Sequence, residues 1–193
     1  MSDKTGSPRI VLLVIDMLND FLGTWPAAQR KQLCDAMREL VQMMRDNDQP
    51  IVWIRQEFSP DLTDAFPEMR ARDIRITIRG TPGSEIVPEL VVAPSDLTIV
   101  KKRYSAFFGT TLDGLLDRLD PQALIVAGVN THACVRMTAI DAYQRDRSVI
   151  LAADCIDSYD RKHHEISMEY MSDKIAEIMT NKDILRMLRS GAG

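Results

Sequence analysis

The sequence has few of the features that mark secreted, membrane or nucleic-acid-binding proteins. Its three cysteines are unevenly spaced, which argues against a disulfide framework and favours a reducing compartment. No apolar run approaches the roughly 20 residues of a membrane span, and residues 1–8 lack the apolar core of a signal peptide. The formal net charge is −4 and the basic residues are dispersed. We therefore expect a cytoplasmic protein with no nucleic-acid and no membrane partner.

Apolar runs and amphipathic stretches alternate along the chain. The apolar runs predict strands at 10–15, 50–54, 97–100, 123–127, 148–152 and 176–179. The amphipathic stretches predict helices over 27–47, 84–91, 110–119, 133–145, 161–174 and from 180 onward. Thr110–Asp113 and Thr180–Asp183 have the spacing of a capping box. The alternation predicts a single α/β domain, 1–193, with a three-layer, Rossmann-like fold: a mostly parallel, roughly six-stranded sheet with helices on both faces.

Three of the predicted strands lead into residues that can carry chemistry. Asp16 follows the first strand, Lys101 follows the third, and Cys134 comes after the fourth, at the start of a helix. The carboxyl ends of parallel strands meet at one edge of a sheet, where open α/β sheets bind ligands. A helix N-terminus favours negative charge, so we expect the Cys134 thiol to be biased toward the nucleophilic thiolate. Taken singly, each residue also has an ordinary structural interpretation. Asp16 is then a turn cap, Lys101 a solvated lysine and Cys134 a buried thiol.

These residues lie in three longer motifs. The motifs are Val14-Ile-Asp-Met-Leu-Asn-Asp-Phe21, Lys101-Lys-Arg-Tyr-Ser-Ala-Phe107 and Gly128-Val-Asn-Thr-His-Ala-Cys-Val135. In order and spacing they resemble the isochorismatase-like cysteine hydrolases, and the resemblance covers nearly the whole chain. It implies that Asp16, Lys101 and Cys134 form the catalytic set. Lys101 fits the pattern better than Lys102, since it stands three residues before Tyr104.

The resemblance also implies how an oxyanion is held and how the protein assembles. The oxyanion hole would consist of the N–H groups of Asn130 and Cys134, beside a cis Val129–Asn130 peptide bond. Members of the family form homodimers or homotetramers, and we expect the same here. Metal-binding nicotinamidases of the family carry an Asp-x-His pair where this chain has Glu57 and Ser59, and no histidine precedes His132. We therefore expect neither a metal nor another cofactor.

The reaction that these groups favour is hydrolysis of a C–N bond in a small amide or ureide. Cys134 would attack the carbonyl carbon and Asp16 would move the proton, so that a thioester forms and is then hydrolysed. Two alternatives stay open. One is isochorismatase-type hydrolysis of a vinyl ether, which releases pyruvate and needs an acid rather than a thiol. The other is a small-ligand-binding protein without catalysis on the same fold.

Several further residues are candidates for the substrate pocket. We expect an aromatic wall formed by Phe21, Trp25, Tyr104 and Phe107, and polar contacts from Arg55 and Gln56 at the end of the second strand. His132, beside the nucleophile, lines the pocket or only packs. Residues 57–95, rich in proline and glycine, are interpreted as an excursion that walls the pocket. Cys34 and Cys155 are expected to pack in the interior. His163 and His164 are expected at the surface or at an interface.

Overall fold

The computed structural model describes residues 9–190, apart from the side chain of residue 173. The first eight residues, in which we predict no signal peptide, lie outside the described part. Within that part six parallel strands form one sheet in the order β3-β2-β1-β4-β5-β6. The strands are β1 (Ile10–Ile15), β2 (Ile51–Gln56), β3 (Leu97–Lys101), β4 (Ala123–Gly128), β5 (Val149–Ile156) and β6 (Glu177–Met179). The predicted three-layer α/β fold is confirmed, with β1 and β4 at the point where the strand order reverses.

Helices connect successive strands and cover both faces of the sheet. In chain order they are α1 (Asn19–Leu22), α2 (Ala27–Asp46), α3 (Pro67–Arg72), α4 (Leu112–Leu119), α5 (Arg136–Tyr143), α6 (Arg161–Lys174) and α7 (Asn181–Ser190). A π-helical turn, Thr131–Val135, precedes α5, and a 3₁₀ turn spans Pro82–Ser84. None of the helices in the described residues is long and apolar enough to cross a membrane.

The central strand β1 shows why its sequence is continuously apolar. Ile10, Leu12 and Val14 face one core, which contains the buried side of α2 and part of α7. The alternate residues of β1 face a second core, which α4, α5 and α6 help to build. A strand covered on both faces has no solvent side, so the alternation of polar and apolar residues is lost.

Segment 57–95 packs around a small core of its own. This third cluster consists of Phe58, Leu62, Ala65, Met69 and Ile78, all buried, with Phe66 and Ile74 packed against it. The helix predicted over 84–91 is wrong: Pro88 interrupts that stretch, and only the 3₁₀ turn at Pro82–Ser84 forms nearby. The short helices α1 and α3 were not predicted, because four and six residues are too few to show a helical period.

The two predicted capping boxes have opposite outcomes. At α7 the Thr180 N–H donates to Asp183 Oδ2 at 3.1 Å, and the Asp183 N–H donates to Thr180 Oγ1 at 3.2 Å, so that box is confirmed. At α4 the prediction is wrong, because the N-cap is Thr111 and its side chain makes no capping bond. Thr110 Oγ1 instead donates to the carbonyl of Ala106.

Candidate active site

The strand register explains how Lys101 reaches Asp16. Lys101 ends β3 opposite Gln56 at the end of β2, and β2 in turn pairs with β1. Adjacent strands lie about 4.8 Å apart, so β3 is about 10 Å from β1. A long side chain is needed to cross β2, and lysine supplies it. The Lys101 Nζ ends 2.7 Å from Asp16 Oδ2, and both side chains are fully buried.

Asp16 is held by backbone contacts on both sides. Its N–H donates to the carbonyl of Ile54 at 2.9 Å, and its Oδ1 accepts the Gln56 N–H at 2.7 Å. Asp16 has a left-handed backbone, with φ of 52°, a conformation that aspartate tolerates better than most residues. Its second oxygen, Oδ2, faces the Lys101 ammonium but has no aligned hydrogen bond. One lone pair of the carboxylate is therefore free to receive a proton.

Cys134 lies in the first turn of the helix that follows β4. The Lys101 Nζ donates to its Sγ at 3.3 Å, which brings the three predicted catalytic residues together around one ammonium. The helix begins earlier than predicted, with the π turn at Thr131, because the Val135 N–H bonds to the Asn130 carbonyl five residues back. The expected cis peptide bond between Val129 and Asn130 is confirmed.

Gly128 allows the turn that carries Cys134, Thr131–Val135, to approach β1 closely. We call this turn the nucleophile turn. It has φ of +117°, and a Cβ at this position would lie 2.0 Å from the carbonyl oxygen of Ile15. The next residue, Val129, donates its N–H to that same oxygen at 3.0 Å. Glycine is therefore required where β4 ends, since any side chain would push the turn that carries Cys134 away from Asp16.

The protonation state of Cys134 differs from the expectation. Burial raises the pKa of this thiol to about 12; the Lys101 charge opposes that shift and the Asp16 carboxylate adds to it. The predicted bias toward thiolate is thus wrong for the resting site, because removal from water outweighs the ammonium and the helix end. Lys101 stays charged: burial alone would lower its pKa, but Asp16 and Cys134 together raise it. The resting site is a thiol beside a carboxylate–ammonium pair.

A cavity of about 580 Å³ opens beside Cys134. Predicted pocket residues that line it are Phe21, Trp25, Gln56, Tyr104 and His132, together with Asn130. Residues of the 57–95 excursion form part of the wall, as expected, namely Phe66, Glu68, Met69, Ile74 and Ile76. No sequence pattern identifies these residues, nor Asp20, Met137 and Tyr159, because their place in the wall depends on how the excursion and loops pack.

Two predicted pocket residues lie elsewhere. The Arg55 guanidinium bonds to Glu57 and to the carbonyl of Ser84, and it does not line the cavity. Alternation along β2 sends Gln56 toward the site and Arg55 to the other face. Phe107 is buried in the second core, with the Arg145 guanidinium 4.6 Å from its ring centroid.

The histidines near the nucleophile turn are partly buried. His132 Nδ1 is 2.7 Å from Ser158 Oγ, and burial lowers the pKa of this histidine, so it is neutral at pH 7. His163 is exposed, as expected. His164 is not a free surface residue: its Nδ1 is 2.8 Å from Thr131 Oγ1, the first residue of the nucleophile turn.

Glu57 and Ser59, which stand where metal-binding relatives have the Asp-x-His pair, are engaged with other side chains. Glu57 is ion-paired with Arg55, and Ser59 Oγ donates to Asp64 at 3.0 Å. Across residues 9–190 no group of three or more His, Cys, Asp and Glu side chains is placed to hold a metal ion. Cys34 and Cys155 are buried in the first core, as expected for packing residues.

Comparisons with known proteins match nearly the full length of the chain. A family model described as "Isochorismatase domain" matches residues 11–183. The phenazine biosynthesis protein PhzD of Pseudomonas fluorescens is 32% identical over 184 residues, which cover 92% of this chain and 85% of PhzD. One similar solved structure is an isochorismatase family protein from Desulfovibrio vulgaris, with a TM-score of 0.85 and 26% identity, over 94% of this chain and 99% of that one. Another is N-carbamoylsarcosine amidase from Thermoplasma acidophilum, with a TM-score of 0.77 and 25% identity, over 90% of this chain and 96% of that one.

Proposed function

The chain belongs to the isochorismatase family of hydrolases, and from this premise we propose that it cleaves a C–N bond in a small amide or ureide through a thioester on Cys134. The observation that carries the proposal is the position of the Lys101 ammonium, 2.7 Å from Asp16 Oδ2 and 3.3 Å from Cys134 Sγ. Cys134 also lines the cavity, so its sulfur is within reach of a bound carbonyl group. The similarity to an amidase supports the same reaction.

Acylation begins from the neutral thiol. As the Cys134 sulfur attacks the carbonyl carbon, its proton passes to Asp16, whose Oδ2 has no other aligned hydrogen bond. Lys101 compensates the negative charge that shifts from the carboxylate to the sulfur and substrate. The N–H groups of Asn130 and Cys134 receive the developing oxyanion. Asp16 then returns the proton to the leaving nitrogen, the C–N bond breaks, and ammonia or an amine departs.

Deacylation repeats the same proton transfers with water as nucleophile. Asp16 takes one proton from a water molecule as its oxygen attacks the thioester carbon. The C–S bond breaks, the acid product leaves, and the proton returns from Asp16 to the Cys134 sulfur. The cycle restores the thiol beside the carboxylate–ammonium pair.

The test is trapping of the covalent intermediate. Mass spectrometry of enzyme quenched during turnover of a small-amide panel should show one acyl group on the peptide that contains Cys134. Cys134→Ala should hydrolyse the same substrate at least about 10³-fold more slowly, whereas Cys34→Ala, a change of another buried thiol, should keep its rate. Turnover by Cys134→Ala at the wild-type rate contradicts the mechanism.

Vinyl-ether hydrolysis is the second candidate, because the matching family model bears the name of isochorismatase. That reaction requires an acid that protonates the substrate, and Asp16 would have to be protonated to serve. A protonated Asp16 would leave the buried Lys101 ammonium, 2.7 Å from Oδ2, without a counterion. Release of pyruvate from isochorismate, with no ammonia from any amide, would favour this candidate, and Cys134→Ala would then keep its activity.

We also propose that the enzyme works in the cytoplasm as a homodimer or homotetramer. Three free buried thiols suit a reducing compartment. Tyr143, Ile166 and Tyr170 on α5 and α6 are about half exposed, which gives a second copy apolar surface to cover. Light scattering of the purified protein should give two or four times the mass of one chain, and Ile166→Arg should lower it. A monomer at micromolar concentration contradicts this assembly.

A further inference from the structure

The cavity beside Cys134 has carboxylates in its wall and no basic side chain. Asp20 and Glu68 line it, whereas no lysine or arginine of residues 9–190 does. The Asp20 carboxylate accepts the Thr77 N–H at 2.6 Å and lies against Gly83. Glu68 is exposed on α3 and makes no ion pair within the described part of the chain. The wall therefore presents net negative charge to a ligand at neutral pH.

Three basic groups that neighbour residues of the wall are held by other partners. Lys101 lies beneath the cavity, where its charge is balanced by Asp16 at 2.7 Å. The Arg103 guanidinium donates to the carbonyl of Asp64 and lies 5.0 Å from the centroid of the Phe66 ring, which packs against Tyr104. Arg75 is ion-paired with Asp73. None of these three cations contributes to the cavity wall.

Aromatic rings form much of the remaining wall. The five rings are Phe21, Trp25, Phe66, Tyr104 and Tyr159. Tyr104 is 44% exposed and Tyr159 is 70% exposed, so both are accessible to a ligand. Aromatic faces attract cations, and a wall that combines rings with carboxylates is the type of site that binds substituted ammonium groups.

Two buried side-chain amides show that the cavity is built to receive a polar ligand. Gln56 is 3% exposed and Asn130 is 8% exposed, and both line the cavity. Gln56 Nε2 and Asn130 Oδ1 have no hydrogen-bond partner among the described residues. Buried donors and acceptors are costly to leave unpaired. A ligand that carries both an acceptor and an N–H donor, as a carboxamide does, satisfies both.

From these observations we propose that the substrate is an amide with a positively charged, ammonium-type group on its body, and that the cavity rejects carboxylates. The inference rests on the proposed function and names its substrate class. The carboxamide meets Gln56 and Asn130 beside Cys134, and the cation lies among the aromatic rings near Glu68 and Asp20. An anionic substrate would meet like charge at the mouth without any arginine to pair with.

The first experiment compares three benzamides that differ in one para substituent. The substituents are trimethylammoniomethyl, its uncharged isostere neopentyl, and carboxymethyl. We expect kcat/KM for ammonia release to fall in that order, with at least about tenfold between the cation and the anion. Glu68→Gln should reduce the preference for the cation about threefold, and Glu68→Lys should favour the anion. Glu169→Gln, which removes an exposed carboxylate outside the cavity, should change nothing.

The second experiment separates binding from chemistry. Dissociation constants of the same three compounds are measured by calorimetry on Cys134→Ala, which cannot form the thioester. Tightest binding of the cation without turnover by the wild type would support a cavity that prefers cations and would contradict C–N hydrolysis. Two outcomes would overturn the substrate class while C–N hydrolysis stands. One is turnover in which the cationic benzamide is not preferred to the anionic one, and the other is a preference for the cation that Glu68→Lys leaves unchanged.

Discussion

Lys101 is the residue on which the chemistry depends most, because its buried ammonium lies between two acidic groups. Its ammonium contacts the Asp16 carboxylate and the Cys134 sulfur, and it also donates to the Arg103 carbonyl at 3.1 Å. The ammonium thus has two hydrogen bonds and one ion-pair contact in a fully buried position. The negative charge can move from oxygen to sulfur and back while the positive charge stays between them.

A first prediction concerns Asp16→Asn, which should have opposite effects on turnover and on alkylation. The asparagine cannot accept the thiol proton, so amide hydrolysis should fall about 10²–10⁴-fold. The same change removes a group that raises the pKa of Cys134 and leaves Lys101, which lowers it. The iodoacetamide rate at pH 8 should therefore rise.

Both rates are measured on the same preparations, with mass spectrometry to assign the modified cysteine. Cys134→Ala is the control that fixes the background from Cys34 and Cys155. Slower alkylation of Asp16→Asn than of the wild type would mean that the carboxylate does not hold the thiol in its protonated form.

A second prediction concerns Lys101→Met, which leaves the Asp16 carboxylate buried without its ion pair. We expect the free energy of unfolding to fall by about 3–5 kcal/mol, as measured by urea titration. The double variant Asp16→Asn, Lys101→Met removes both charges and should regain at least half of that loss. It should remain inactive, since neither the base nor the ammonium is present. Equal stability of the single and double variants would contradict a coupled buried pair.

The secondary-structure elements position the site through their ends. Asp16 directly follows β1, β3 ends at Lys101 and β4 ends at Gly128, and the turn after β4 carries Cys134. Strand ends are fixed by the hydrogen bonds of the sheet, so the side chains that follow them have little freedom. The far end of the chain contributes stability rather than chemistry: α7 packs against β5 and α2, away from the cavity wall.

A third prediction concerns the N-terminus of α7, where the capping box is formed. Thr180→Ala removes the acceptor for the Asp183 N–H and should lower the free energy of unfolding by about 1 kcal/mol. Activity should be unchanged, because α7 does not line the cavity. Thr111→Ala is the matched control, since Thr111 is the N-cap of α4 but makes no capping bond with its side chain. A cost at Thr111 equal to that at Thr180 would contradict the assignment of the two boxes.

On the scale of the whole molecule, the burial of three thiols makes the stability of the fold depend on pH in the alkaline range. Burial raises the pKa of Cys34 to about 11 and that of Cys134 to about 12, and it raises that of Cys155 as well. The folded protein therefore keeps protons that the unfolded chain loses near pH 9. The fold gains from the neutral thiols in full below pH 9 and loses that contribution as the pH rises through the folded pKa values.

A fourth prediction follows for stability against pH. The free energy of unfolding should be insensitive to these thiols below pH 8 and should fall between pH 9 and 11. Cys34→Ala removes one of the titrating groups, so its decline over that range should be shallower than that of the wild type. Urea titrations at a series of pH values measure both slopes. Parallel curves for the two proteins would show that Cys34 ionises equally in the folded and unfolded states.

The sequence alone determined the parts of the protein that are encoded locally. The apolar runs predicted the strands, including β1. Asp16 and Lys101 were identified because each comes directly after such a run, and Cys134 because it lies at the start of the helix that follows the fourth run. Gly128 was visible as the end of β4, and the cis peptide bond was expected only from the resemblance to the isochorismatase-like hydrolases. Their roles in catalysis remain predictions, although the side chains do meet.

Only the tertiary structure decided which side chains share the cavity and which charge state they adopt. Gln56 faces the site and Arg55 does not, because the orientation of β2 is set by pairing with its neighbours. Glu68 reaches the wall only through the packing of the 57–95 excursion on its own small core. The thiol of Cys134 is protonated because it is removed from water. Burial is a property of the whole assembled chain, and no local pattern of residues encodes it.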